Sequence, residues 1–123
     1  MAGERVPLAL YHMLDAIEDF RSIVGRATAI YLENDRIRRY AAERCVEIIS
    51  EASRRIPDTW KSDYSEIPWQ KIAGIGSVIR HNYENVNPAI LAELNGAPLV
   101  ALERIALALL DKHDPEGRPF RKR

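Results

Sequence analysis

Several features are scarce in this chain of 123 residues, and each scarcity excludes a class of protein. The single cysteine, Cys45, cannot form an internal disulfide, and its apolar helical stripe favours a small buried side chain over a nucleophile. No apolar run approaches the roughly 18 residues of a membrane-spanning helix, and the segment after Met1 is amphipathic, so we expect no membrane span and no signal peptide. A reducing cytoplasm fits this composition.

An excess of charge of either sign is also missing. Lys+Arg and Asp+Glu are balanced at 18 each, which excludes the strongly basic composition of a protein that coats nucleic acid. Basic residues cluster only locally, at Arg36, Arg38 and Arg39 and in the tail from Arg118 to Arg123. A charge run of this kind is more often a solvated surface than a binding site, although RNA binding by the tail stays open.

The sequence does contain a series of amphipathic patterns, separated by proline, glycine and capping residues. They predict four long helices, over residues 8–24, 35–56, 68–83 and 98–113, and a short helix from Asn87-Pro88 to about Leu94. In the second long helix, the predicted core stripe is Ile37, Ala41, Cys45, Ile48, Ala52 and Ile56. No period-two run of β-branched residues suggests a sheet. We therefore expect an all-α, up-and-down antiparallel bundle, with one domain over residues 1–114 and a basic tail over 115–123.

The stretch from Trp69 to Tyr83 concentrates reactive side chains more than any other segment. On a helical wheel its inward face carries Ile72, Ile75, Gly76, Ile79 and Tyr83, and its outward side carries Gly74, Ser77, Val78 and His81. An imidazole among small residues leaves room for a ligand, although exposed histidines are commonplace and small residues can simply permit close packing. With Arg80 on the flank, the pair suits metal-free phosphodiester chemistry, in which histidine moves a proton and arginine stabilises phosphate charge.

Other candidate sites carry weaker signals. His12 and His113 lie in separate helices and lack neighbours at ligand spacing, so we expect no metal site. The segment Gly74-Ile75-Gly76 lacks the further glycine and the preceding strand of a dinucleotide loop, so we expect no cofactor. Trp60 and Trp69 bracket a linker, and we interpret them as anchors that pack it onto the bundle.

Four segments occur in the order and spacing of a known family: Arg44–Ala52, Ile67–Trp69, Ile72–Gly76 and His81–Tyr83. Together they resemble the HepT-like branch of the HEPN superfamily, over nearly the whole chain from about Leu10 to Leu110. The resemblance implies a homodimer in which the histidine-bearing helices of both subunits surround a cleft. It also implies a metal-independent RNA endonuclease, the cytoplasmic toxin of a toxin–antitoxin pair whose partner is an MNT-type nucleotidyltransferase.

The family's motif is an arginine, four to six residues, a histidine, and then, two residues on, a tyrosine that the partner can adenylylate. His81 matches the histidine and Tyr83 the tyrosine, and the resemblance makes Gly74, Ser77 and Asn82 residues that line the cleft. The wheel places Tyr83 near the inward face, so a purely structural tyrosine stays open beside the modified one.

The motif arginine is absent, because Gly76 occupies its position. Ser77 matches the polar residue that the family carries next to that arginine. Side chains on a helix lean toward its N-terminus, so Arg80, one turn later, could lay its guanidinium over the turn at Gly76. We hypothesise that Arg80 replaces the motif arginine and that Arg80 and His81 are catalytic. The alternative is a HEPN protein that has lost catalysis and binds RNA or its nucleotidyltransferase partner.

Overall fold

The computed structural model describes residues 2–81 and 87–117, with side chains from Val6 onward. All regular structure in these ranges is helical, which confirms the predicted all-α class. The helices are α1 (Ala2–Val24), α2 (Ala29–Asn34), α3 (Arg36–Arg54), α4 (Asp58–Lys61), α5 (Trp69–His81), α6 (Pro88–Leu94) and α7 (Ala97–His113), with a 3-10 turn (Ser62–Tyr64) after α4. None of the described helices is both long and apolar enough to cross a bilayer.

Capping residues set three helix boundaries where the sequence predicted them. Asp35 begins α3, and its carboxylate accepts a hydrogen bond from the backbone amide of Arg38 at 3.0 Å. Asn87 begins α6 and accepts in the same way from the amide of Ala89 at 2.9 Å. Gly25 follows α1 with φ of 56°, a conformation that glycine adopts without steric cost.

The start of α1 differs from the prediction, because the helix begins at Ala2 rather than at Leu8. Pro7 therefore lies inside the helix instead of in its first turn. Its fixed φ is helical, and its missing N–H removes only one backbone hydrogen bond near the helix start. Val6 and Pro7 are both buried, so packing holds the additional turn in place.

The four long helices form an up-and-down arrangement in which α1 lies between α3 and α7, and α3 lies between α1 and α5. The Tyr11 hydroxyl donates to Asp114 at 2.6 Å and Arg21 pairs with Glu103 at 2.9 Å, so α1 and α7 run antiparallel. The packing of α5 is chiefly on α3. Between α5 and α7 the bundle is open along an apolar groove of about 680 Å³.

The core is built from one face of each long helix. On α7 every residue predicted to face inward is buried: Leu99, Leu102, Ala106, Leu109 and Leu110. The predicted stripe on α3 is partly wrong, because Ile37 is 78% exposed while the charged residue Glu43 is buried. Since α3 is flanked by both α1 and α5, its buried face is wide and rotated from the prediction, and it comprises Ala42, Cys45, Val46, Ile49, Ala52 and Ser53. Cys45 is buried, as predicted, and burial raises the pKa of its thiol.

The two tryptophans anchor the linker between α3 and α5, as predicted. Trp60 stacks on His113 with ring centroids 3.5 Å apart, which ties α4 to the end of α7. The indole N–H of Trp69 donates to the carbonyl of Tyr64 at 3.0 Å. Both rings are partly buried against the core.

Helices α3 and α5 are joined through Ser50. Its hydroxyl donates to the carbonyl of Ala73 at 3.0 Å and accepts from the amide of Gly76 at 3.2 Å. Arg54, one turn further along α3, donates to the same carbonyl from Nε at 2.9 Å and from Nη2 at 2.7 Å. These bonds hold the backbone of α5 directly against α3.

Replacing Gly76 by alanine should destabilise the fold. The new Cβ would lie 2.8 Å from the Ser50 hydroxyl oxygen, and overpacking of this kind costs about 1–3 kcal/mol, more than the ~1 kcal/mol gained in helix propensity. The matched control is Gly74→Ala, two residues away, whose Cβ would meet nothing within 4 Å and which should stabilise the helix. Urea unfolding measures both. Equal changes in the free energy of unfolding of the two variants would show that the contact between position 76 and Ser50 is not limiting.

A second prediction concerns Glu43, whose pKa is raised by burial, against the smaller opposing effect of Arg39. Among the described residues its Oε2 has no hydrogen-bond partner, and Arg39 Nε lies 3.9 Å away. The folded chain thus binds this proton more tightly than the unfolded chain, and its contribution to stability falls as the pH rises. Glu43→Gln, which mimics the protonated form, should raise the free energy of unfolding at pH 7 by about 1 kcal/mol.

The advantage of Glu43→Gln should shrink when urea unfolding is repeated at progressively lower pH, as wild-type Glu43 takes up its proton. Glu51→Gln, an exposed position on the same helix, controls for the general loss of a carboxylate. A pH-independent difference between Glu43→Gln and the wild type would show that burial of the charge is not the cause.

Candidate functional site

Helix α5 presents two distinct faces, divided as the wheel predicted. Gly76 and Ile79 are buried, and Ile72 and Ile75 pack partly buried against the core. On the other side Val78 is 53% exposed, His81 is exposed, and Gly74 and Ser77 are half-buried. Asn82 and Tyr83 lie outside the described residues, so their predicted roles stay predictions.

His81 is the last described residue of α5 and projects from the outward side. Within residues 2–81 and 87–117 it has no hydrogen-bond or ion-pair partner. Its ring nitrogens can therefore exchange protons with a ligand without first breaking a contact to any of these residues.

Arg80 is exposed, and its guanidinium extends back along α5 over the preceding turn. Its Nη1 atom lies 3.6 Å from the point that a Cβ on Gly76 would occupy. The charged group thus sits where the sequence hypothesis placed it, beside the position of the missing motif arginine. Like His81, it lacks an ion-pair partner in the described part of the chain.

Packing explains why position 76 carries no side chain here. Any Cβ would lie 2.8 Å from Ser50 Oγ and 3.0 Å from Ser50 Cβ, distances at which the Ser50 side chain or one of the two helices has to shift. An arginine at this position would need the same displacement before its guanidinium could reach solvent. In this chain Gly76 is a packing residue, and the cation nearest to it is supplied by the next turn.

Beside Arg80, a groove of about 180 Å³ runs over the outer face of α3, between α1 and α5. We call it the arginine groove; it is lined by Ala9, His12, Arg44, Glu47, Ile48, Glu51, Ala52, Arg55 and Arg80. Sequence reasoning missed this groove, because its lining residues belong to three separate segments of the chain. The sequence shows that Arg44, Glu47, Glu51 and Arg55 follow one another at spacings of three and four residues. It does not show that α1 and α5 form walls on both sides of them.

Other residues singled out from the sequence are not brought to this site. The ring of His113 is stacked on that of Trp60, and burial lowers the pKa of the imidazole. Arg38 donates to the carbonyl of Ile23 at 2.6 Å, so part of that basic cluster holds the α1–α3 junction together. In the described ranges no group of three or more His, Cys, Asp or Glu side chains could hold a metal ion. The basic tail lies outside those ranges.

Comparison with known proteins identifies the family of this chain. Residues 13–109 match the family model described as "Ribonuclease HepT-like". A protein of Caldanaerobacter subterraneus subsp. tengcongensis, named "Putative RNase TTE0752", is 30% identical over 106 residues, which are 84% of this chain and 92% of the relative. A Methanocaldococcus jannaschii protein, named "Putative RNase MJ1380", is 28% identical over 91 residues, 74% and 84% of the two chains.

A third relative matches a shorter segment of the chain at a higher identity. It is a Thermococcus cleftensis protein, named "Probable ribonuclease HepT", which is 37% identical over 57 residues, 46% of this chain and 52% of its own. No solved structure matches the chain significantly. The family match spans α1 to α7, including Gly76, Arg80 and His81. The chain therefore belongs to the HepT-like ribonuclease family.

Proposed function

We propose that this protein is a metal-independent endoribonuclease and the cytoplasmic toxin of a toxin–antitoxin pair. Membership of the HepT-like family supports a ribonuclease function. The observation that carries the proposal for this chain is the position of Arg80, whose guanidinium lies over the turn at Gly76 and next to the exposed His81. A cation and a proton carrier are thus adjacent on an accessible face.

In this proposal His81 moves the proton and Arg80 binds the phosphate. The ribose 2′-hydroxyl loses its proton to an imidazole and attacks the adjacent phosphorus, and the bond from phosphorus to the 5′-oxygen breaks. That oxygen leaves with a proton from a second acid, and a 2′,3′-cyclic phosphate remains. The Arg80 guanidinium stabilises the additional negative charge that develops on the phosphate oxygens.

A homodimer completes this chemistry, because one imidazole cannot act as base and acid in the same step. Two subunits related by a two-fold axis would bring two copies of His81 to one cleft, which Gly74 and Ser77 would line. In the proposed pair, the MNT-type nucleotidyltransferase silences the toxin by adenylylating Tyr83.

A second candidate function is a HEPN protein that binds RNA or its nucleotidyltransferase partner without cleaving RNA. The observation that favours it is Gly76, since its contact with Ser50 leaves no room for the motif arginine. The two candidates share the fold and the exposed surface of α5. They differ in whether Arg80 is an adequate replacement.

Incubation of the purified protein with tRNA or mRNA distinguishes the two. We expect cleavage in the presence of EDTA, its loss in His81→Ala, and a decrease in kcat of about 100-fold in Arg80→Ala, the usual effect of removing a group that stabilises transition-state charge. Arg80→Lys should retain part of the activity, because it keeps the charge but not the two-pronged geometry. Lys71→Ala, an exposed cation at the other end of α5, should cleave normally.

Equal cleavage by Arg80→Ala and the wild type would show that Arg80 does not take the role of the motif arginine that is missing at Gly76. If neither the wild type nor His81→Ala cleaves RNA, the nuclease proposal is wrong and the binding function remains.

The proposed homodimer is tested by the mass in solution. One chain has a mass of 14.0 kDa, so light scattering coupled to gel filtration should give about twice that value. Val78→Glu introduces charge on the exposed side of α5 without touching the core, and it should shift the protein toward the monomer. A monomeric wild-type protein across the accessible concentration range would refute the dimer.

A further inference from the structure

The arginine groove combines three guanidinium groups, an imidazole and two carboxylates on three helices. His12 forms part of one wall from α1, Arg80 belongs to the opposite wall from α5, and α3 supplies the floor with Arg44 and Arg55. This concentration of arginine contrasts with a chain whose net charge is zero. With three arginines against two glutamates the groove carries a formal charge of about +1, and guanidinium groups are the side chains best suited to bind phosphate.

The carboxylates in the groove hold two of the arginines only loosely. Arg44 and Glu47 are 3.8 Å apart, and Arg55 and Glu51 are also 3.8 Å apart. The side chains of Arg44 and Arg55 are 70% and 57% exposed, and such pairs contribute little free energy in water. Exchange of the carboxylate for a phosphate is therefore inexpensive for Arg55, whose partner Glu51 is 52% exposed. It costs more for Arg44, because its partner Glu47 is only 16% exposed and would lose its cation.

The length of the groove favours a polymer over a single phosphate. Arg44 in α3 and Arg55, the residue that follows its last turn, have Glu47 and Glu51 between them and pair with different carboxylates, so they form two separate phosphate contacts. A phosphate ion bound at one of these arginines leaves the other paired with its carboxylate. A strand with successive phosphates can contact Arg44 at one end, His12 in the middle and Arg55 at the other end.

The groove is also continuous with the proposed catalytic surface, because Arg80 belongs to both. Its guanidinium lies in the groove wall, and the next residue in the chain is His81. A strand that lies along α3 is thereby led to the C-terminal end of α5. This geometry makes the groove an extension of the cleavage site rather than a separate surface.

We propose that the arginine groove binds the phosphodiester backbone of the RNA strand next to the cleaved bond. Arg44 and Arg55 contact phosphate groups at the two ends, and His12 contributes a hydrogen bond between them. Because these contacts are with the backbone, they add affinity without sequence preference. The inference rests on the proposed function, since it assigns the substrate's path across the same site.

The test is fluorescence anisotropy of a short labelled single-stranded RNA, titrated with full-length protein carrying His81→Ala so that the RNA stays intact. Arg44→Ala and Arg55→Ala should each weaken binding about tenfold and reduce the slope of log K against log salt by about 0.7, the value for one phosphate contact in a single strand. Glu51→Gln should strengthen binding, because it releases Arg55 from its competing carboxylate.

Arg104→Ala is the matched control, because Arg104 is an exposed arginine on α7 that does not line the groove. Circular dichroism melts of all variants confirm that they fold, which is expected for substitutions at exposed positions. Inorganic phosphate at an equal phosphate concentration should compete poorly with the RNA, since it spans only one end of the groove. Full competition by inorganic phosphate would indicate a single anion site and overturn the proposal.

Unchanged affinity and salt slope in both arginine variants would also overturn it. Cleavage by the wild-type protein is measured separately, so the two proposals fail in different ways. Cleavage without any effect of Arg44→Ala and Arg55→Ala refutes the groove and leaves the nuclease intact. Binding through the groove without cleavage refutes the nuclease and leaves the groove as an RNA-binding surface.

Discussion

The hydroxyl of Ser50 fixes α5 to α3, and the arrangement of the site depends on it. It bonds two backbone groups of α5, the carbonyl of Ala73 and the amide of Gly76, while Arg54 adds two further bonds to that carbonyl. Together these contacts define the depth, rotation and translation of α5 on its neighbour. A side chain at position 76 would separate the two backbones, so glycine is the residue that this contact requires.

The rotation of α5 follows directly from this contact and places the reactive groups. Since Gly76 faces α3, the side chain of Arg80 one turn later lies at the edge of the interface, with its guanidinium over the same turn. His81 is a further 100° around the helix and therefore projects into solvent. Packing in the core thus sets the relation between a cation and a proton carrier on the surface.

Because α5 lies at an open side of the bundle, its position depends strongly on the contact with Ser50. It packs chiefly on α3, and an apolar groove separates it from α7, so few other interactions hold it in place. The same openness leaves its outward side accessible. In the other direction, the outer face of α3 becomes the floor of the arginine groove only because α1 and α5 rise on both sides of it.

The sequence by itself determined the all-α class, most helix ends, the buried face of α7 and the division of α5 into two faces. These properties depend on local rules: capping side chains satisfy free backbone amides, glycine permits positive φ, and a period of 3.6 residues sets the direction of each side chain. The family motif was also readable locally, since His81 and its spacing to Gly76 lie on one helix.

Only the tertiary structure decided which part of α3 is buried, why position 76 lacks an arginine and where the cationic groove lies. A helical period gives the angle between two side chains but not the neighbours that each one meets. Ile37 is exposed and Glu43 buried because of where the surrounding helices pack on α3. The clash between position 76 and Ser50, like the convergence of His12 and Arg80 on one groove, joins residues that are distant in sequence and meet only when the helices pack.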